Sequence, residues 1–330
     1  MDRLKCMLME GQRFNNIDIA AGIAIILVVF GHMHFPELMK VKWYMDVREF
    51  VYKVHMPLFI FLSGFVAFLS ASKVNFEDSG NYWSFIGKKG RKFIPAYLFF
   101  GILAIALDII IYHKSFHDIT PALAALLLYP IKGSAGFIWY LYVLLGFYLI
   151  TPLLTKLKQK TLIALFIVSF LLTFVPLPPH FSANLFGRYL FFFVGGALLY
   201  KYYESLKFLI QHYGWIFLYL FVLAGIVDFT VKPLPVQLLS ILFIMGILYL
   251  TLLNWGNMAS KLISYIGRGS FAIYLLDSLV LNILYIVVAR TVSPFPAIPF
   301  VISGVVFGLS IPLGIRNLFN KIVPRSVYMI

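Results

Sequence analysis

Two histidines lie where a proton has few other carriers. His32 closes the first long apolar run, residues 17–32, and His55 opens the next, residues 55–65. An ionisable side chain inside a membrane-spanning stretch costs free energy wherever it meets lipid, so it usually lines a cavity or a pathway. Histidine adds a proton affinity near neutrality, which lets it accept and return a proton within one turnover. The chemistry these residues suit is general-base catalysis, with His32 as the base. Capping of a helix end or a hydrogen bond to a neighbouring carbonyl is the plainer alternative for either ring. Other templates are missing from the chain: there is no glycine-rich phosphate loop, no His-Glu-x-x-His helix and no Gly-x-Ser-x-Gly elbow.

Charged residues inside apolar runs extend the pattern. With ten spans placed as below, Asp108 lies roughly 24 Å and Asp277 roughly 22 Å above the inner ends of their helices, and Arg188 opens a helix from outside. His32, His55, Asp108, Arg188 and Asp277 are thus expected in the outer half of the membrane. Asp277 either belongs to a site or pairs structurally with Arg188. On the inner side Lys88, Lys89, Arg91 and Lys92 precede Phe93 to Tyr97, and Arg268 lies just inside a later helix. These cations suit an approaching polyanion, and they equally satisfy the preference of cytoplasmic loops for Lys and Arg.

The elements that must position these groups follow from composition. Apolar residues make up 62% of the 330, charged residues 12%, and mean hydropathy is +0.92, beyond what a soluble core requires. The reading is an all-α, polytopic transmembrane bundle forming one domain over residues 1–330. Ten helices are expected, at 16–35, 50–71, 92–112, 135–155, 161–178, 186–203, 207–230, 235–255, 262–290 and 297–320. The run 121–130, bounded by Pro121 and Pro130, is too short to span and is expected in the outer interface. Segments on the side of the termini hold 17 Lys and Arg and the opposite segments 8, with Lys53 and Arg268 inside spans, which predicts cytoplasmic termini. The first run carries no cleavage pattern and reads as a retained span. A single cysteine, Cys6, excludes a disulfide framework and a thiolate metal site, and no metal is expected. The +14 net charge is spread over short loops rather than gathered on one face, which argues against nucleic-acid binding. No internal repeat of the inverted transporter type is visible.

Asp18 with residues 22–32 ending in Gly31-His32, then His55-Met56-Pro57 through Ser63-Gly64-Phe65, then Arg91-Lys92-Phe93-Ile94-Pro95-Ala96-Tyr97, resemble acyltransferase family 3 membrane proteins. Residues 137–141 and 265–276 agree, and the nearest branch resembles the fucose 4-O-acetylase-like group. The resemblance implies a ten-helix bacterial inner-membrane O-acyltransferase that moves an acyl group, commonly acetyl, from cytosolic acyl-CoA to a hydroxyl of an envelope or exopolysaccharide sugar. The depth and charge of the residues, read beside it, place His32, His55, Arg188 and Asp277 at the reaction and Lys89, Arg91, Lys92 and Arg268 on the acyl-CoA phosphates. The donor acetyl-CoA is a substrate, with no permanently bound cofactor. The partners implied are acyl-CoA, a carbohydrate or glycolipid acceptor and membrane lipid. Two positions depart from the family pattern. Ala21 stands where a cation is common eleven residues before the histidine, with Arg13 or Arg91 as candidate replacements, and Asp277 stands where histidine is common. The alternative to an enzyme is a membrane translocator whose intramembrane His, Asp and Arg relay protons or line a pathway.

Overall fold

The computed structural model describes residues 14–112, 118–133, 136–231, 233–253 and 256–322; Cys6 and Arg13 lie outside them. The described residues form twelve α-helices and no strand: α1 (Asn15–His32), α2 (Lys42–Ala71), α3 (Ser79–Tyr112), α4 (Ile119–Leu128), α5 (Trp139–Thr155), α6 (Gln159–Leu172), α7 (Ala183–Lys201), α8 (Tyr203–Thr230), α9 (Val236–Leu252), α10 (Asn257–Arg268), α11 (Ser270–Thr291) and α12 (Ala297–Ile322). Eight of these are long and apolar enough to cross a membrane, and α6 and α9 are shorter apolar helices at two further expected spans. The chain is a helical membrane bundle.

Helix edges differ from the hydropathy reading where polar residues enter helices or prolines end them. α2 starts at Lys42 rather than 50: its charged first turns are helical, with Lys42 and Asp46 paired across one turn at 2.8 Å. α3 starts at Ser79 rather than 92, so Lys88, Lys89, Arg91 and Lys92 sit on a helix instead of in a loop. α6 stops at Leu172 rather than 178, ahead of Pro176, Pro178 and Pro179, whose missing N–H groups cannot continue a helix. The stretch expected as one helix at 262–290 is two, α10 and α11, meeting at Gly269 (φ −93°, ψ 0°). The short run near 121–130 is helical as α4, held by the Tyr97 hydroxyl, which donates to the Leu126 carbonyl at 2.5 Å.

The chain forms two compact units, each assembled from distant segments: Met1–Met56 with Phe208–Phe319, and Pro57–Lys207 with Asn320–Ile330. In the first unit α1 packs along α10 and α11 with a constant offset. Asn15 donates to the Ser260 hydroxyl at 3.4 Å and His32 meets Asp277, both pairs 245 residues apart. Gly22 and Gly267 stand at that same offset, so the two segments run in the same direction, as alternation of the first and ninth expected spans requires. The backbones touch there. A Cβ on Gly267 would fall 1.8 Å from the Asp18 carbonyl oxygen, and one on Gly22 would fall 2.2 Å from that of Ile263. Small residues permit this approach, which matters in lipid because hydrophobic burial does not drive helices together there.

The second unit uses the same device between α2 and α7. A Cβ on Gly64 would lie 2.0 Å from the Phe193 oxygen, and one on Gly196 would lie 1.8 Å from the Phe61 oxygen. The Tyr200 hydroxyl donates to Ser72 Oγ at 2.7 Å farther along this pair. Aromatic stacking fills the surroundings, with Phe147 on Phe193 at 4.6 Å and Phe166 on Phe191 at 4.6 Å.

A methyl group at position 267 therefore has nowhere to go. Gly267→Ala should destabilise the protein by about 1–3 kcal/mol, whereas Gly314→Ala, on an open face of α12 with nothing within 4 Å of the new Cβ, should leave stability unchanged or raise it by about 0.5–1 kcal/mol. Thermal unfolding of both variants in detergent checks this, and equal melting temperatures would remove the glycine contact as a constraint.

Candidate active site

His32 is the last residue of α1. Its Nδ1 lies 2.8 Å from Asp277 Oδ2 on α11. A carboxylate in this contact accepts, which makes Nδ1 the donor; in the neutral ring Nε2 then presents a lone pair. Asp277 is fully buried, while the His32 side chain is 15% exposed, so the reachable part of the pair belongs to the imidazole. The Ser278 backbone N–H donates to Asp277 Oδ1 at 2.7 Å, occupying the second carboxylate oxygen. Ser278 Oγ is 3.4 Å from His32 Nδ1, the nitrogen Asp277 already engages. The three residues therefore do not form a serine-nucleophile triad, in which the hydroxyl would face Nε2.

His55 is 2% exposed and lies thirteen residues into α2, not five as the expected helix start implied. Its Nδ1 approaches the Val51 carbonyl at 2.7 Å. A carbonyl only accepts, so this nitrogen also carries a proton and His55 Nε2 is an acceptor. As a neutral ring it offers no proton to an oxyanion; to serve in that role it must first be protonated.

What joins the two histidines is a stripe on α2 that the sequence reading, with its helix beginning at residue 50, splits between connection and helix. Tyr44, Arg48 and Tyr52 recur every four residues and lie on one helix face. All three bond carbonyls at the end of α1, where intrahelical donors run out. The Tyr44 hydroxyl is 2.9 Å from the Phe30 oxygen and 2.8 Å from the Met33 oxygen. Arg48 Nε donates to the Gly31 oxygen at 3.0 Å, and the Tyr52 hydroxyl donates to the same oxygen at 3.1 Å. The Tyr52 ring then meets the His55 ring edge-on, centroids 4.9 Å apart. Spacing of i, i+4 and i+8 just ahead of His55 was the available signal, but it carries meaning only once α2 is known to start at Lys42.

The turn after His32 is also fastened. Phe35 stacks on Tyr285 at 4.4 Å, and the hydrogen bond from Tyr285 holds the Glu37 carboxyl below its ordinary proton affinity. In the same turn, partial burial and then the nearby Arg48 charge lower the proton affinity of His34. The Arg48 charge has no carboxylate within ion-pair distance among the described residues.

The structure thus brings His32, His55 and Asp277 together in the first unit, and Asp277 is partnered there by His32. Arg268, exposed at the end of α10, belongs to that unit as well. Asp108, Arg188 and the basic cluster belong to the second. Arg188 is exposed on α7. Lys88 and Arg91 are exposed, whereas Lys89 and Lys92 are half-buried. The Lys89 ammonium lies 4.6 Å from the centre of the Tyr148 ring and 5.4 Å from that of Phe85, an aromatic setting that suits a cation. Lys92 lies 5.4 Å from the Phe93 ring centre. Ala21 is half-buried within α1.

These positions fall inside one family match. The model of the acyltransferase family 3 domain, described as an acyltransferase domain, matches residues 14–316. No curated protein and no solved structure matches the chain. With that match covering all but the two ends of a helical membrane bundle, the chain belongs to acyltransferase family 3 and is a multi-pass membrane acyltransferase.

Proposed function

We propose that this protein is an O-acyltransferase, in the manner of the fucose 4-O-acetylase-like branch. It takes an acyl group, acetyl in the first instance, from cytosolic acyl-CoA and delivers it to a hydroxyl of an envelope or exopolysaccharide sugar. The observation that carries the reading is the His32–Asp277 contact, because a proton fixed on Nδ1 by a buried carboxylate leaves Nε2 as a base. In the reaction, Nε2 accepts the acceptor's hydroxyl proton as the oxygen attacks the thioester carbonyl. The carbon–sulfur bond breaks as the tetrahedral intermediate collapses, and the proton held by His32 passes to the departing thiolate. Asp277 steadies the imidazolium formed in between. General-base assistance of this kind supplies about 10²–10⁴-fold.

The Asp277 departure from the family pattern fits this scheme, since a carboxylate orients a neutral imidazole and stabilises its charged form. Lys89, Arg91 and Lys92 are assigned to the acyl-CoA phosphates. Both termini are assigned to the cytoplasm on the distribution of Lys and Arg, and the resemblance to the fucose 4-O-acetylase-like branch supports the inner membrane of a bacterium.

Purified protein in liposomes, supplied with labelled acetyl-CoA, should hydrolyse the donor or transfer its label. Complete inertness of the wild type would favour the translocator instead. His32→Ala should lower kcat by about 10²-fold or more with little loss of folded protein, and Asp277→Asn should also depress kcat while largely retaining donor KM. Near-normal turnover in His32→Ala would reduce His32 to a structural role. Neutralising Lys89, Arg91 and Lys92 together should raise the acyl-CoA KM by about tenfold and leave the acceptor KM nearly unchanged, as contacts to a remote handle act mainly through uniform binding. An unchanged donor KM with poorer membrane insertion would assign those charges to topology alone.

A further inference from the structure

The geometry points to Arg48 as a positioning residue that holds both histidines in working orientation, an inference that rests on the acyl-transfer reading above. Three contacts close a small circuit around the peptide that leads into His32. Arg48 Nε donates to the Gly31 oxygen at 3.0 Å, an Arg48 terminal nitrogen donates to the Tyr52 hydroxyl at 3.0 Å, and that hydroxyl donates to the Gly31 oxygen at 3.1 Å. The guanidinium also lies 4.3 Å from the centre of the Tyr52 ring.

Each contact has a consequence for a histidine. The Gly31 carbonyl belongs to the peptide that carries His32, so fixing it fixes the approach of that ring to Asp277. Tyr52, held by Arg48 at its hydroxyl and its face, presents its ring to His55. The absence of a side chain at Gly31 is part of the arrangement: a Cβ there would come within 2.9 Å of the Tyr52 ring. A cation also suits the carbonyl end of α1, where the helix dipole is negative. Lysine is a poor substitute, because one ammonium cannot reproduce the fork that bonds Gly31 and Tyr52 while lying over a ring. Arg48 acts through the two histidines and is assigned no contact with substrate.

The test compares wild type, Arg48→Ala, Arg48→Lys, Tyr52→Phe and the double variant His32→Ala/Arg48→Ala in liposomes with labelled acetyl-CoA. Arg48→Ala should lower kcat by about 10–100-fold, as expected for small misplacements of reacting groups, while donor KM stays within about twofold. Arg48→Lys should recover only a small part of the loss. Guanidinium ion, added below denaturing concentrations, should restore Arg48→Ala better than methylammonium does. The double variant should be no slower than His32→Ala alone, since the two residues act as one unit. A kcat within about twofold of wild type in Arg48→Ala, full recovery by lysine, a loss confined to KM, or additive losses in the double variant overturns the assignment. Should Arg48→Ala fail to insert, Tyr52→Phe decides: removing its hydroxyl should cost about fivefold in kcat, and an unchanged kcat overturns the assignment. Wild-type protein inert toward acetyl-CoA overturns the acyl-transfer reading itself and this inference with it, a result distinct from active wild type with an unaffected Arg48→Ala.

Discussion

The contact on which the first unit depends is the touching of two helix backbones at Gly22 and Gly267. Neither helix has a side chain there, so their axes approach until peptide groups meet, and the pairing acquires a fixed register. From that point His32 lies ten residues along α1 and Asp277 lies ten residues along the partner segment, about 15 Å in each case for helical chain. Base and carboxylate arrive at the same level because both are counted from the same crossing. The break at Gly269 does not disturb the count: Asn15–Ser260 before it and His32–Asp277 after it keep the same offset.

A second constraint acts from α2. The end of a helix leaves carbonyls without partners, and in an apolar setting each would cost free energy if left bare. Here the Tyr44–Arg48–Tyr52 stripe meets them, and it belongs to the helix that carries His55. Satisfying the end of α1 and orienting the second histidine are therefore one structural act. The two imidazoles are protonated on Nδ1 for different reasons, His32 by a carboxylate and His55 by its own helix, and both leave Nε2 as an acceptor.

Hydropathy was sufficient to read the bundle, because a membrane span must bury every backbone polar group and runs of about 20 apolar residues follow. It was insufficient wherever a helix carries charge. The first turns of α2 and α3 hold Asp46, Arg48, Lys88 and Arg91 and look like loop in a hydropathy profile. Arg48 is consequently one of the eight Lys and Arg counted on the side opposite the termini, though in the fold it braces the end of α1. His32, His55 and Asp277 were legible as ionisable groups inside apolar runs. Their pairing was not, since Asp277 is 245 residues from His32 and nothing local distinguishes a histidine partner from an arginine one.

The common register of α1 with α10 and α11 also limits how this sequence can vary in length. A single residue inserted between Gly267 and Asp277 would turn the carboxylate by about 100° around its helix and lift it about 1.5 Å, carrying it off the face that meets His32. The same holds for the ten residues after Gly22. These two short intervals behave like matched rulers, intolerant of insertion or deletion even where their individual side chains are replaceable. The turn between α1 and α2 is held too, by Phe35 on Tyr285 and by the Tyr44 bonds to Phe30 and Met33, so drift in length among relatives should accumulate in other connections and halt at the two rulers and at this turn.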